Sequence, residues 1–396
     1  MLSLEWRFRY RAVTSAGPKV AIACSGLGHV QRGIEAWAAD LAYGLQRAGV
    51  TASLFGGAPG PGITALPCLR RTGTGAVAMA RGLRHLGGWR YGFGSPYEVE
   101  QTTFALSLWR HIRHRFDILH VQDPTIAIWF ERLQRYGLSR ARVIYANGTG
   151  EGAAVMRRFA NLQLLTQQAS DAWRPGQPLQ QAVFTIPNFI DTDRFSPGDR
   201  TRARDRLGLP RDGLIVLCCA AIRRFHKRID SLLEEFAAAE ANLPAGALLV
   251  IAGGREDDTA DLIAEGTRLL GSRVRFMPDV PRAQMPDLYR AADLFTLASL
   301  HEMFGIVLLE ALATGLPVLC HDAPGFRSVV GAGGVYRDLS VPGQLAAGLQ
   351  TLSDPELRRT LSQAARRQVE AQYAEAVVIR EIRAMYDAVL QRERHG

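Results

Sequence analysis

The sequence predicts an α/β protein built from two doubly wound, Rossmann-like domains that face each other across a cleft. Three observations carry that expectation. At 396 residues the chain is long enough for two or three domains. Short apolar runs alternate with helix-like or glycine-rich stretches, the pattern that builds parallel sheets. The alternation is interrupted once, between Asn188 and Gly213, where proline, glycine and charge dominate and mark a linker. The expected domains are therefore 1–190 and 191–373, with a helical segment in 374–396 that returns to the first domain.

The elements follow in order. Lys19 to Cys24 is a short apolar strand, and Ser25 to Gly33 is a glycine-bearing loop. Ile34 to Ala48 has helical periodicity, and Val50 to Phe55 is the next strand, which completes a β-loop-α-β opening. The spacing of Gly26, Gly28 and Gly33 departs from the dinucleotide fingerprint, whose third glycine comes two residues sooner. Gly57 to Glu98, rich in Gly and Arg, predicts a long mobile loop with one short helix near Ala76 to Leu86. Ile118 to Val121, Arg142 to Ala146 and Val183 to Pro187 read as further buried strands. A second alternation runs through Leu214 to Ala221, Leu248 to Ala252, Val274 to Met277, Leu294 to Ala298 and Pro317 to His321. The charged run Ala374 to Arg392 closes the chain as a helix.

Composition narrows the class. Met1 to Pro18 carries Arg7, Arg9 and Arg11 but no sustained apolar stretch, and reads as an extension rather than a signal peptide. No run approaches the roughly 18 apolar residues of a membrane span. The cysteines are odd in number and lack the C-x-x-C spacing, and Cys24, Cys218 and Cys320 fall in apolar runs. They read as reduced core residues of a cytoplasmic protein. Met1 to Ile190 holds 21 Lys+Arg against 10 Asp+Glu, whereas the remainder holds 26 against 28. The basic excess belongs to the first half. Its partner is either an anionic surface, such as the inner face of a membrane, or simply solvent. The stretch Phe104 to Phe116, apolar on one side and basic at its end, reads either as an interfacial helix or as an ordinary core-facing one. Nucleic acid is not an expected partner.

The most informative segment is His301 to Val318. Glu302 and Glu310 lie eight residues apart around Phe304 and Gly305. Glu302 falls on a strand-to-helix loop and Glu310 inside the helix that Gly315 and Pro317 stop. The amides of Gly305, Ile306 and Val307 then point out of a helix N-terminus, which favours anions through unpaired N–H groups and the helix dipole. Gly305, without a Cβ, lets a phosphate approach the backbone. Carboxylates on both sides accept strong hydrogen bonds from sugar hydroxyls. Together these describe a nucleotide-sugar pocket. A further cation pair sits at Arg223 and Lys227. The chain has only two lysines, Lys19 and Lys227, so a lysine at 227 answers a local requirement more than a general need for charge.

This segment, a glutamate followed by seven residues, a second glutamate and then an Ala–Gly–Pro–Val pattern, resembles the signature of retaining glycosyltransferases of family 4. The element Arg223 to Lys227 is similar to that family's arginine, variable triplet, lysine grip on the donor diphosphate, with the register between Arg223 and Arg224 open because Ala221 and Ile222 replace the usual neighbours. Ile186 to Pro197 resembles the interdomain element, in which Asn188 bonds its own turn and Phe195 packs under the second domain. Asp117 to Pro124 resembles the element that places a histidine by the reacting sugar. Many relatives carry two such histidines. Here Gln122 stands at the second position, so either His120 acts alone or Gln122 and Asp123 orient the acceptor.

The resemblance implies the two-domain architecture called GT-B and transfer of a sugar, with retention, from a nucleotide diphosphate sugar to a glycan, lipid-linked or small-molecule acceptor. Catalytic roles fall to Glu302, Arg223, Lys227 and His120. Donor contacts fall to Glu310, Phe304, Gly305, Ile306, Val307, Gly253, Gly28 and Gly325. No catalytic metal and no cofactor beyond the donor substrate are expected, because Asp191-Thr-Asp193 lies in the linker. The alternatives are a silent binding or scaffold protein, a sugar-nucleotide epimerase and a phosphorylase.

Overall fold

The computed structural model describes residues 17–30 and 32–392. The N-terminal extension expected over Met1 to Pro18 lies, up to residue 16, outside them. Two all-parallel sheets organise the chain. The first comprises β1 (Lys19–Cys24), β2 (Thr51–Gly56), β3 (Ile63–Ala65), β4 (Ile118–Val121), β5 (Arg142–Ala146), β6 (Asn161–Leu164) and β7 (Ala182–Thr185), in spatial order β3-β2-β1-β4-β5-β6-β7. The second comprises β8 (Ile215–Cys219), β9 (Leu248–Gly253), β10 (Val274–Pro278), β11 (Leu294–Thr296), β12 (Val318–His321) and β13 (Gly334–Arg337), in order β10-β9-β8-β11-β12-β13. Both are doubly wound sheets whose strand order reverses once, between β1 and β4 and between β8 and β11. The crevice above a reversal is where such sheets bind ligands. β4 and β8 are buried at every position, as expected of parallel strands covered by helices on both faces.

Some elements escaped the sequence pattern. β6 reads Asn-Leu-Gln-Leu, and its polar members are buried because each finds a backbone partner. Asn161 donates to the Val143 carbonyl at 3.0 Å and Gln163 to that of Ile186 at 2.8 Å. The region read as a long loop, Gly57 to Glu98, contains β3, helix Thr74–Arg84, a 3₁₀ turn Gly88–Tyr91 and the start of helix Pro96–Ile112. That last helix settles Phe104 to Phe116. Phe104, Ala105, Leu108 and Ile112 are buried in the core, so its apolar face packs inward and is not an interfacial surface.

The chain crosses between the sheets twice, at the same place. The Ile190 amide donates to the Tyr373 carbonyl at 2.9 Å, and the Glu375 amide donates to the Ile190 carbonyl at 3.1 Å. Beyond this paired crossing, helix Glu375–Gln391 lies on the first sheet. Its Val378, Ile379, Ile382, Met385, Tyr386 and Val389 share a core with Trp37, Leu41 and Leu45 of helix Gly33–Arg47. Phe195 is buried in the second core, edge-on to Tyr289 with ring centroids 5.9 Å apart. The turn beside it is held by Asp191, whose Oδ1 accepts from the amides of Asp193 and Arg194 at 3.1 and 3.0 Å. Asn188, expected to do this, is buried, and its Oδ1 has no hydrogen-bond partner among the described residues. In Asp191-Thr-Asp193 the Asp191 carboxylate thus serves a turn, to which Asp193 contributes its amide and carbonyl.

Candidate functional site

The loops that follow β8 and β11 meet above the reversal of the second sheet. Lys227, from the first loop, forms an ion pair through Nζ with Oε1 of Glu302, from the second. The loop around Lys227 is held in an uncommon shape. His226 and Arg228 both have positive φ, 71° and 51°, at a cost of about 1 kcal/mol each for non-glycine residues. Arg228 anchors it by donating to the Leu339 carbonyl at 2.6 Å. The two arginines of the open register differ in their partners. Arg224 is committed to Glu265 at 2.6 Å and Asp230 at 3.5 Å. Arg223 is half-buried, and its Nε has no hydrogen-bond partner among the described residues.

Helix Ile306–Ala313 begins beside this pair. Gly305 caps it in the left-handed conformation, φ 78°, which glycine adopts without the usual steric penalty. A Cβ there would also sit 2.8 Å from Leu308 Cδ1. The amides of Ile306 and Val307, in the first turn, have no intrahelical acceptor. Ile306 packs against the first domain's core cluster, which includes Leu27, so the helix N-terminus abuts the opposite wall of the cleft. Glu310, one turn further, accepts a hydrogen bond from the Tyr289 hydroxyl at 2.6 Å. Burial pushes its carboxyl up to about 7, against the opposing pull of that hydroxyl. Its surroundings include Arg282, ion-paired across the cleft to Asp40 of the first domain. Arg32 and Glu256 make a second crossing at 3.2 Å.

The remaining expected site residues divide. Gly325 lies near the pair, since a Cβ on it would be 3.8 Å from the Glu302 carbonyl oxygen. Phe304 is buried in the second core, edge-on to Tyr373, and is packing rather than lining. Gly253 is required where β9 abuts the end of β8, because a Cβ would meet the Ala220 oxygen at 1.7 Å. Gly28, φ 93°, is pressed on Ala58, 2.3 Å from a built Cβ to its oxygen. Its missing side chain serves loop packing.

His120 departs furthest from expectation. It is fully buried on the face of β4 that Trp37 and Tyr386 cover. Its Nδ1 lies 2.9 Å from the Tyr386 hydroxyl, and its Nε2 has no hydrogen-bond partner among the described residues. Burial lowers its pKa to about 3. Its place explains the displacement: His120 lies inside β4, which is buried on both faces, and only the residues after the strand's carboxyl end reach the crevice.

Gln122 and Asp123, at the carboxyl end of β4, do reach the reversal of the first sheet. Asp123 Oδ2 accepts from the Ser25 amide at 2.7 Å and Oδ1 from the Tyr97 hydroxyl at 2.9 Å. The sequence reading missed its neighbours Glu35, Arg71, Tyr97 and Glu100. Arg71 grips Glu100 with Nε and Nη2 at 3.0 and 2.6 Å and lies 4.2 Å over the Tyr97 ring. No local spacing could have found residues so far apart in the chain. Among the described residues, no group of three or more His, Cys, Asp or Glu is arranged to hold a metal ion.

Residues 199–368 match the model of the family described as glycosyl transferases group 1. D-inositol 3-phosphate glycosyltransferase 1 of Catenulispora acidiphila is 33% identical over 223 residues, 53% of this chain and 53% of that protein. The D-inositol 3-phosphate glycosyltransferase of Geodermatophilus obscurus is 36% identical over 200 residues, 48% of this chain and 44% of that protein. The chain spans about half the length of the curated relatives it matches. Among solved structures, the sucrose-phosphate synthase of Thermosynechococcus elongatus superposes with TM-score 0.75 at 18% identity, covering 94% of this chain and 99% of that one. Anabaena HepE in complex with UDP-glucose gives TM-score 0.72 at 17% identity, covering 94% and 100%. At these identities the structural likeness speaks for the fold.

Proposed function

We propose, from the GT-B fold of this chain and the match of its residues 199–368 to the group 1 glycosyl transferases, that it is a glycosyltransferase of the family-4 type that moves a sugar from a nucleotide diphosphate sugar to an acceptor with retention at the anomeric carbon. The observation that carries the reading is the juxtaposition of Lys227, Glu302 and Arg223 above the reversal of the second sheet, beside the first-turn amides of Ile306 and Val307. The donor's diphosphate takes Lys227 from Glu302 and bonds to Arg223, while Glu302, released, accepts hydroxyls of the donor sugar. Glu310 accepts the ribose hydroxyls. As the bond between the anomeric carbon and the diphosphate oxygen breaks, these cations and amides stabilise the leaving charge. The acceptor oxygen forms the new bond on the same face, and its proton passes to the departing phosphate. This route asks nothing of His120.

Thermal shift with UDP, GDP and ADP, each with and without magnesium, tests the donor site, since binding raises the melting temperature by mass action. A shift with one diphosphate that is unchanged by magnesium is expected. No shift with any of them removes the reading and leaves a scaffold protein. Conversion of donor without acceptor to an epimer, or a requirement for free phosphate, would turn the reading to an epimerase or a phosphorylase.

A peripheral contact with an anionic membrane belongs to the same reading. What supports it is an exposed patch of Leu86, Trp89 and Tyr91, 79%, 61% and 58% exposed, set among exposed Arg81, Arg84 and Arg90. Among the described residues no helix is long and apolar enough to cross a membrane.

A further inference from the structure

The first domain holds a buried polar cluster where its own sheet reverses, across the cleft from Glu302. A Cβ built on Gly148 would touch the Gln122 side chain at 2.2 Å, and one on Gly150 would touch Met303 Sδ at 2.8 Å. Gln122 therefore packs on Gly148, two residues from Gly150, which Met303, next to Glu302, meets from the second domain. Asp123, 1% exposed, spends one bond of each oxygen on Ser25 and Tyr97, which leaves acceptor capacity on both. Glu35, 5% exposed, rises from the first turn of helix Gly33–Arg47 beneath Gly26, where a built Cβ would lie 2.2 Å from its Oε1.

Charge defines what such a place admits. Glu35, Glu100 and Asp123 are three carboxyl groups, and among the described residues Arg71 is the cation paired inside the cluster, with Arg32 acting on Glu35 from its edge. The Arg71 guanidinium is spent on Glu100, with Glu35 Oε1 at 4.0 Å. Several buried atoms here have no hydrogen-bond partner among the described residues: Glu35 Oε2, Gln122 Nε2 and His29 Nδ1. Orphaned buried polar groups call for an explanation, and an acceptor carboxylate, a carboxamide donor and an imidazole nitrogen together suit vicinal hydroxyls. They do not suit a phosphate, which needs cations or several converging N–H groups.

We propose that this cluster seats the sugar acceptor and selects an uncharged polyol ring bearing no phosphate, with Glu35 and Asp123 receiving its hydroxyls and Gln122 donating to one of them. The proposal rests on the glycosyl-transfer reading and specifies its second substrate. It separates this chain from relatives whose names specify an inositol phosphate.

The test uses the full chain, with the nucleotide sugar identified by thermal shift as donor, and follows release of nucleoside diphosphate. Acceptors are offered in pairs: myo-inositol with D-inositol 3-phosphate, glucose with glucose 6-phosphate, mannose with mannose 6-phosphate. At least one unphosphorylated ring is expected to stimulate release at least tenfold more than its phosphate. Glu35→Gln is expected to raise the KM for that ring at least tenfold, the effect falling on acceptor KM and not on donor KM. Because Glu35→Gln is nearly isosteric it is expected to fold, and Gly148→Ala, which displaces Gln122, provides a second variant with the same expected KM effect. Stimulation by the phosphorylated member of any pair above its partner overturns the inference while leaving glycosyl transfer standing. Failure of every unphosphorylated ring, or an unchanged acceptor KM in both variants, also overturns it. No response to any nucleoside diphosphate overturns both.

Discussion

Replacing Glu310 by glutamine separates two effects of one carboxyl that have opposite signs. Burial raises its pKa from the usual 4.5 to about 7 in the folded protein. A carboxyl raised in this way contributes stability that is present in full while it is protonated, below about 4.5, and is lost as pH rises through about 7. At about 1.4 kcal/mol per unit the shift is worth roughly 3 kcal/mol. Contact with the cleft screens part of this, so about 2 kcal/mol is expected. Glutamine keeps the acceptor for the Tyr289 hydroxyl but never ionises. Thermal melts of both proteins from pH 5 to 8.5 should therefore diverge, with the variant gaining about 4–8 °C on the wild type at the alkaline end for unfolding of the second domain. Donor binding should move the other way. Ribose hydroxyls bond best to the ionised form, so wild-type affinity for the nucleoside diphosphate rises with pH through about 7, and that of the variant stays low and flat. A melting difference that is the same at pH 5 and pH 8.5 would refute the buried carboxyl's titration. A pH-independent diphosphate affinity in the wild type would refute its ribose role.

Other outcomes follow from the same geometry. Lys227→Ala should lower kcat by about 10²–10³-fold, and wild-type turnover in a folded variant would remove the phosphate assignment. Arg223→Ala should weaken diphosphate binding, whereas Arg224→Ala, whose guanidinium is held by Glu265 and Asp230, should leave it within about threefold; calorimetry with the diphosphate reads both, and the reverse order would reverse the register. His120→Ala should cost about 2–4 kcal/mol in urea unfolding through a cavity and an orphaned Tyr386 hydroxyl while kcat of the folded fraction stays within a few-fold; a hundredfold loss of kcat would return His120 to the chemistry. Binding to vesicles of anionic lipid should fall steeply with salt and diminish in Trp89→Ala, and absence of binding at low salt would end the membrane reading.

Much of this was written in the sequence because parallel strands buried on both faces leave uninterrupted apolar runs. β1, β4 and β5 coincide with their runs, and the glycine at 305 and the stop at Gly315 bracket the helix that carries Glu310. What escaped detection was short or polar. β6 hides its Asn161 and Gln163 through side-chain bonds to the backbone, and β13, Gly-Val-Tyr-Arg, is half-buried throughout. The donor-side residues form two local signatures, one on each of the loops after β8 and β11, strands that are neighbours in the sheet. The cluster around Asp123 has none, because Glu35, Arg71, Tyr97 and Glu100 are brought together only by the fold. His120 shows the converse hazard. A motif singled out the residue, but it lies inside a strand buried on both faces, short of the end that opens on the crevice.

The paired crossing at Ile190 and Tyr373–Glu375 bears on how the molecule is assembled at the ribosome. The second domain is one uninterrupted stretch and has all its parts once residue 373 has emerged. The first does not. Until helix Glu375–Gln391 arrives, Trp37, Leu41 and Leu45 lack the wall that covers them in the finished protein. The domain begun first is thus the one completed last, and its unfinished apolar face is open to wrong partners throughout synthesis of the other.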